Sequence, residues 1–200
     1  MSANAAIVQR GGTELAGTRA PATWGMIMFI ATESILFSLL FSSYFYLHSS
    51  ATGWPQGGLE SPNLFVPAIN TAILLASSVP LFWAEAGIKK GDQAALRAGF
   101  ALSFLLGAAF MVLQLREYRN LPFRANANAY ASLFYVITGF HGVHLFVGML
   151  MSAMTQARAW AGHFDERRHV AVQNASWYWH FVDAVWIFVF AIVYISPHVL

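Results

Sequence analysis

Cysteine is missing altogether from these 200 residues, which removes disulfides, thiolate metal sites and cysteine nucleophiles. Charge is scarce as well. Lys, Arg, Asp and Glu make up 10% of the chain, against about 25% in an ordinary soluble domain. The net charge is only +2 and no basic run is present, so nucleic acid is excluded as a partner class. There is no Gly-rich phosphate loop, no GxSxG, no HExxH and no polar domain that would hold a soluble substrate. The start of the chain lacks the charged, apolar and cleavage-site order of a signal peptide. Residues 1–23, with Arg10, Glu14 and Arg19, read as a polar N-terminal tail.

What is abundant is apolar: 58% of the residues are hydrophobic, with 17 Phe, 7 Trp and 7 Tyr. Crossing the hydrocarbon core takes about 20 mostly apolar residues in a helix. Five stretches qualify, at roughly 24–47, 64–86, 98–115, 130–155 and 176–197. The polar segments between them are punctuated by Gly, Pro and charge, and each is too short to fold alone. The expected fold is therefore all-α, with residues 24–200 forming a single integral membrane bundle of five transmembrane helices. Basic residues favour the cytoplasmic side. With the N-terminus cytoplasmic, that side holds Arg10, Arg19, Lys89, Lys90, Arg97, Arg158, Arg167 and Arg168, and the outer side only Arg116, Arg119 and Arg124. The C-terminus then lies outside. Interfacial aromatics are expected at Trp24, Trp83, Trp160 and Trp177 on the inner side, and at Tyr44, Tyr46, Trp54, Tyr130 and Tyr194 on the outer. Small residues at fourfold spacing, Gly99–Ser103–Gly107 and Gly148–Ser152, mark sites where helices can approach closely.

A few polar residues stand where lipid should have removed them. Glu33 lies about 14 Å into the first span, where an ionised group costs about 2.5–3.5 kcal/mol on insertion scales. It is expected to be protonated or hydrogen-bonded at neutral pH, with a proton-linked role. His180 and Asp183 share a helix face, as do His141 and His144. A bis-His haem is disfavoured, because His144 and His180 differ in depth by roughly 10 Å. Copper would need a third converging ligand. The four residues are expected to form a structural polar network, with no cofactor or metal bound by this chain. Glu85 reads as an interface residue that reaches water. Asn70 is expected to satisfy backbone groups freed by Pro67.

Five stretches, in order, resemble subunit III of haem–copper terminal oxidases. They are residues 24–33 (WGMIMFIATE), 70–78 (NTAILLASS), 113–123 with its Leu-Gln, Glu-Tyr and Pro-Phe pairs, 138–144 (TGFHGVH) and 177–186 (WYWHFVDAVW). The likeness spans nearly the whole chain and aligns Glu33 with the family's buried glutamate. It implies a non-catalytic subunit of a proton-pumping oxygen reductase, packed on subunit I, which carries the haems and copper, and accompanied by subunit II. It further implies bound phospholipid, help with proton uptake and support of sustained turnover. Long family members carry two further N-terminal helices, and the five-helix pattern points to a bacterial plasma membrane. Two other readings remain: an accessory subunit of a quinol oxidase or nitric oxide reductase, and, from a different class, a free-standing proton or solute carrier using Glu33.

Overall fold

A computed structural model describes residues 21–199. The tail assigned to 1–23 therefore lies outside the described residues as far as position 20. Five long apolar helices account for nearly all of the rest: α1 (Pro21–Ser50), α2 (Phe65–Ile88), α3 (Gln93–Asn120), α4 (Ala129–Trp160) and α5 (Val170–Val189). Beyond α5 the rod runs on through a wider π-helical segment, Phe190–Ile195, into the short α6 (Ser196–Val199). Each of the five rods is long and apolar enough to cross a membrane, and the protein is a multi-pass membrane protein.

At the starts of α3 and α4 a side-chain cap, and not the onset of hydrophobicity, sets where the helix begins. Asp92 Oδ1 accepts from the backbone N–H of Ala94 and of Ala95, both at 2.9 Å, and so starts α3 five residues before the apolar run. Asn128 Oδ1 caps α4 in the same way, accepting from Ala131 N at 2.9 Å. Such caps satisfy donors that the first turn leaves free. At the far end of α4 the chain turns through Gly162, whose φ of 73° suits a residue without Cβ.

Small residues set the core spacing. A Cβ on Gly99 would lie 2.3 Å from the Pro80 carbonyl oxygen and 2.6 Å from Ala84 Cβ. One on Gly87 would lie 2.5 Å from Ala95 Cβ. The α2–α3 hairpin is therefore packed backbone to backbone, as apolar solvent requires when burial of hydrophobic surface gives no drive. Further along α3, Gly107 makes room for the Trp179 ring, and Gly148 of α4 lies against Tyr178 and Trp179. Both proposed small-residue stripes thus sit at helix contacts, with α5 as the central element. Indole N–H groups fasten it: Trp179 Nε1 donates to Ser77 Oγ and Trp186 Nε1 to Thr71 Oγ1, each at 2.9 Å. In contrast, α1 lies along α4 and α5 at the periphery and buries only Thr23, Phe37 and Tyr44.

Two expectations need correction. Tyr44, Tyr130 and Tyr194 do not form an interfacial belt: each is 0% exposed and sits inside the bundle. Trp54 donates to Tyr44 Oη at 2.8 Å, and Gln114 donates to Tyr194 Oη at 3.0 Å. For Tyr44 and Tyr194 a partner inside the protein replaces the headgroup layer, while Tyr130, whose hydroxyl has no partner, is held by ring packing on Trp54 and Phe123. Asn70 does not serve Pro67 either. Pro67 stands in the first turn of α2, where no N–H is required. Asn70 Nδ2 instead reaches across to Phe110 O (3.4 Å) and Gln114 Oε1 (3.3 Å) on α3.

Candidate functional site

The polar residues singled out in the spans separate into two clusters and one outlier. The first cluster joins α1 to α4. Glu33 Oε2 lies 2.8 Å from His144 Nε2. The other ring nitrogen of His144, Nδ1, lies 2.7 Å from the carbonyl oxygen of Phe140. A carbonyl only accepts, so Nδ1 must carry a hydrogen. A neutral ring then has a bare Nε2, and the contact with Glu33 needs one more proton, held either by the carboxyl or by the imidazole. Glu33 and His144 therefore share a proton, which is how a carboxyl far from water avoids standing alone. Phe37 packs edge-on against His144 at 4.9 Å, and Tyr178 donates to the His144 carbonyl at 3.2 Å. The two side chains keep 19% and 11% accessibility, Glu33 and His144 respectively. The pair is thus at a seam and not in the core.

Beside it an apolar groove of about 270 Å³ runs between α1 and α5. Phe37 and Phe41 form one wall, Phe181 and Phe188 the other, and Ser34 and Ser38 lie on the α1 side. The hydroxyls of both serines are turned back to carbonyls of their own helix, at 2.7 and 2.8 Å. The groove therefore offers methylene-compatible surface and little polarity.

The second cluster joins α2 to α5. Ser78 Oγ contacts both His180 Nδ1, at 2.8 Å, and the Asp183 carboxylate, to which it donates. Ser176 Oγ lies 3.2 Å from His180 Nε2 and donates to Glu85 Oε2 at 3.1 Å. Glu85 Oε1 accepts from Lys89 Nζ at 3.0 Å. Glu85 thus faces two ways, toward its own lysine and toward the neighbouring helix, and its side chain keeps only 15% accessibility. Phe82 stacks on the His180 ring at 4.1 Å.

His141 is the outlier. It was expected in the hydrogen-bonded network, but neither ring nitrogen has a hydrogen-bond partner. The ring is 1% exposed and fills a slot against Trp186 (4.7 Å) and Phe110 (6.0 Å). The reason is helix rotation. His144 points to α1, whereas His141, three residues earlier, points to the aromatic contact between α3 and α5. Among the described residues no three His, Asp or Glu side chains converge on a common point.

Sequence reasoning missed Ser78 and Ser176 as partners, and missed that Glu33 and His144 meet. Ser78 was visible in the NTAILLASS stretch, but a serine in an apolar helix gives no sign of which helix it faces.

Comparison with known proteins agrees with the wording of these helices. The family model for cytochrome c oxidase subunit III matches residues 8–197. Cytochrome c oxidase subunit 3 of Lumbricus terrestris is 40% identical over 177 residues, covering 86% of this chain and 68% of the relative. The protein of the same name from Thermostichus vulcanus is 39% identical over 173 residues, covering 86% of this chain and 85% of the relative. That of Synechocystis sp. is 37% identical over 174 residues, covering 86% and 74%. With five long apolar helices in sequence and a match that takes in both polar clusters, the chain belongs to the cytochrome c oxidase subunit III family.

Proposed function

We propose that this chain is the metal-free third subunit of a proton-pumping terminal oxidase in a bacterial plasma membrane. It packs beside subunit I, which holds haem and copper, with subunit II also in the complex, and it sustains turnover by assisting proton uptake. The observation that carries this reading is the Glu33–His144 pair: an acid and an imidazole sharing one proton at a partly open seam between α1 and α4. Such a pair is neutral overall, so it holds a proton deep in the bilayer without leaving a bare charge in lipid. The neighbouring groove suits an acyl chain, which supports phospholipid as a bound component at the α1–α5 seam.

The distribution of basic residues supports a cytoplasmic N-terminus. Asn174 Nδ2 donates to Ala22 O at 3.1 Å, which brings the start of α1 to the end of the bundle where α5 begins. Gln93 Nε2 donates to Phe164 O (2.8 Å) and Gln156 Nε2 to Arg97 O (3.0 Å), joining the α2–α3 turn and the α4–α5 loop at that same end. Lys89, Lys90, Arg97, Arg158, Arg167 and Arg168 therefore gather there, against Arg116, Arg119 and Arg124 at the other.

Purification through a tag on this chain in mild detergent tests the assignment. Haem bands in the reduced-minus-oxidised spectrum, together with a large many-helix partner, are expected; a colourless, partner-free protein would overturn it. Within the complex, Glu33→Gln should leave the haem spectrum and the initial rate of oxygen reduction intact. The number of turnovers before inactivation should fall several-fold. Loss of the haem spectrum would instead give Glu33 a role in assembling the metal-bearing partner.

A further inference from the structure

The second cluster forms a single file of polar atoms running inward from one end of the bundle. In order it is Lys89, Glu85, Ser176, His180, Ser78 and Asp183. Ser176 and Asp183 are seven positions apart on one helix, so the file descends about 10 Å along the axis. Asp183 is 4% exposed, and its second oxygen, Oδ1, is buried with no partner. Phe82 covers the imidazole face.

Hydrogen counting shows what this file holds. A serine hydroxyl has one hydrogen, so it donates to one neighbour and must accept from the other. The four contacts from Glu85 through Ser176, His180 and Ser78 to Asp183 need one hydrogen each. The two hydroxyls supply two and a neutral imidazole supplies one. The fourth is an extra proton. With that proton on His180, both ring N–H groups donate to serines and both serines donate to carboxylates. With it on Asp183, the acid donates to Ser78, Ser78 donates to Nδ1, and Nε2–H donates to Ser176. With it on Glu85, the mirror arrangement holds. All three use the same heavy-atom contacts and differ only in where the proton sits.

We infer that Glu85, Ser176, His180, Ser78 and Asp183 form a proton relay that accepts one proton at the Lys89 end of the bundle and stores it on Asp183. In the inward step the imidazole gains hydrogen at Nε2 and gives up hydrogen at Nδ1, so it finishes as the opposite tautomer. The ring is held by both serines and stacked on Phe82, and the relay resets by returning the proton the way it came. That makes it a store with one mouth and not a channel. The unpartnered Asp183 oxygen is its closed end.

The charges that face the imidazole are Glu85 and Lys89 from α2 and Asp183 from α5 itself. Titratable groups of the other helices are engaged elsewhere. Glu33 of α1 and His144 of α4 pair with one another beside Tyr178, two residues from His180 and so on the opposite side of α5. His141 lies against Trp186, and Arg97 of α3 stacks on Trp160. The relay uses neither Glu33 nor His144, and it does not depend on the role proposed for them.

Infrared spectroscopy of the whole chain in its purified membrane complex tests this without any turnover assay. The Asp183 carboxylic-acid band is identified by its loss in Asp183→Asn, and its exchange is followed after a switch from H2O to D2O. Ser78→Ala and Ser176→Ala should each slow that exchange by roughly a hundredfold, the scale of a positioned proton carrier. Ser78→Thr, which keeps the hydroxyl, should exchange as the parent does. Exchange at the parental rate in both alanine variants would overturn the relay, since water would then reach Asp183 by another route. So would an Asp183 that shows no carboxylic-acid band at any pH the complex tolerates. Should Ser78→Ala not assemble, Ser176→Ala cuts the file nearer its mouth and carries the same expectation.

Discussion

Helices α1 and α5 are both apolar rods with one buried-depth acid each, yet they are held in the protein by different means. In α5, ten residues are buried, including Tyr178, Trp179 and Trp186, and its rings enter spaces left by glycines on α3 and α4. In α1, three of thirty residues are buried, and much of its surface, such as Met28, Leu39 and Tyr46, faces outward. The acids follow suit. Asp183 is enclosed by protein, whereas Glu33 sits at a seam and is tied across it by a single proton. In lipid, helix association comes from close packing and polar contacts, since apolar burial gives no drive. The core is assembled by the first and α1 is attached mainly by the second. A helix attached that way can part from its neighbours at modest cost, which suits a wall beside an acyl-sized groove.

The comparison breaks most visibly if the close packing is attacked. Gly99→Leu would drive carbon into the Pro80 carbonyl, a backbone atom that no rotamer change can move. A loss of about 3 kcal/mol or more is expected from such overpacking, measured by detergent-denaturant unfolding of the complex. Parental stability would mean that the α2–α3 hairpin is not held by close backbone packing at Gly99. A smaller effect is expected at the α1 seam. Glu33→Ala and His144→Ala should each weaken α1 docking by about 1 kcal/mol, the scale of polar contacts between membrane helices. Because the two share one proton, the double variant should be little worse than either single one. Full additivity would separate them.

The smallest effect lies outside the spans, in the loop between α4 and α5. Asp165 accepts from the side chain and backbone of Arg168 and from the backbone of Arg167, and these bonds hold its carboxyl below the usual value of 3.8. A depressed folded value means that the contribution is present above the ordinary carboxylate range and is lost as pH falls through the lowered value. With its side chain 43% exposed, Asp165 should affect only its own turn. Protection of the Arg167 and Arg168 amides from hydrogen exchange should fade across that acid range. In Asp165→Asn the fading should vanish.

The five spans were legible because an apolar run of membrane length leaves few alternatives, and Glu33 stood out because an acid in such a run is expensive. Helix ends were not legible from hydropathy, since Asp92 starts α3 five residues before its apolar run and α4 runs on to Trp160, five residues past its own. Nor was the choice of partners. His144 lies 111 positions from Glu33, and Ser78 lies 105 from Asp183. Which residues meet depends on the rotation of each helix about its axis, and a helix apolar on all sides leaves that rotation unmarked. The same gap misplaced His141 among hydrogen-bonded groups and set Tyr44, Tyr130 and Tyr194 at an interface they do not line.

The π-helical segment at Phe190–Ile195 has a consequence for how this chain tolerates insertion and deletion. Eight residues of regular α-helix would leave Tyr194 about 80° around the axis from Trp186. The wider turn takes up one extra residue, which brings the two to within about 20°, and their rings stand 6.2 Å apart. The chain thus carries one residue whose task is angular. Losing or gaining a single position here would act like turning a key in its lock. It would swing Tyr194 away from Gln114 and Ser196 away from Tyr44 while leaving the length of the rod almost unchanged.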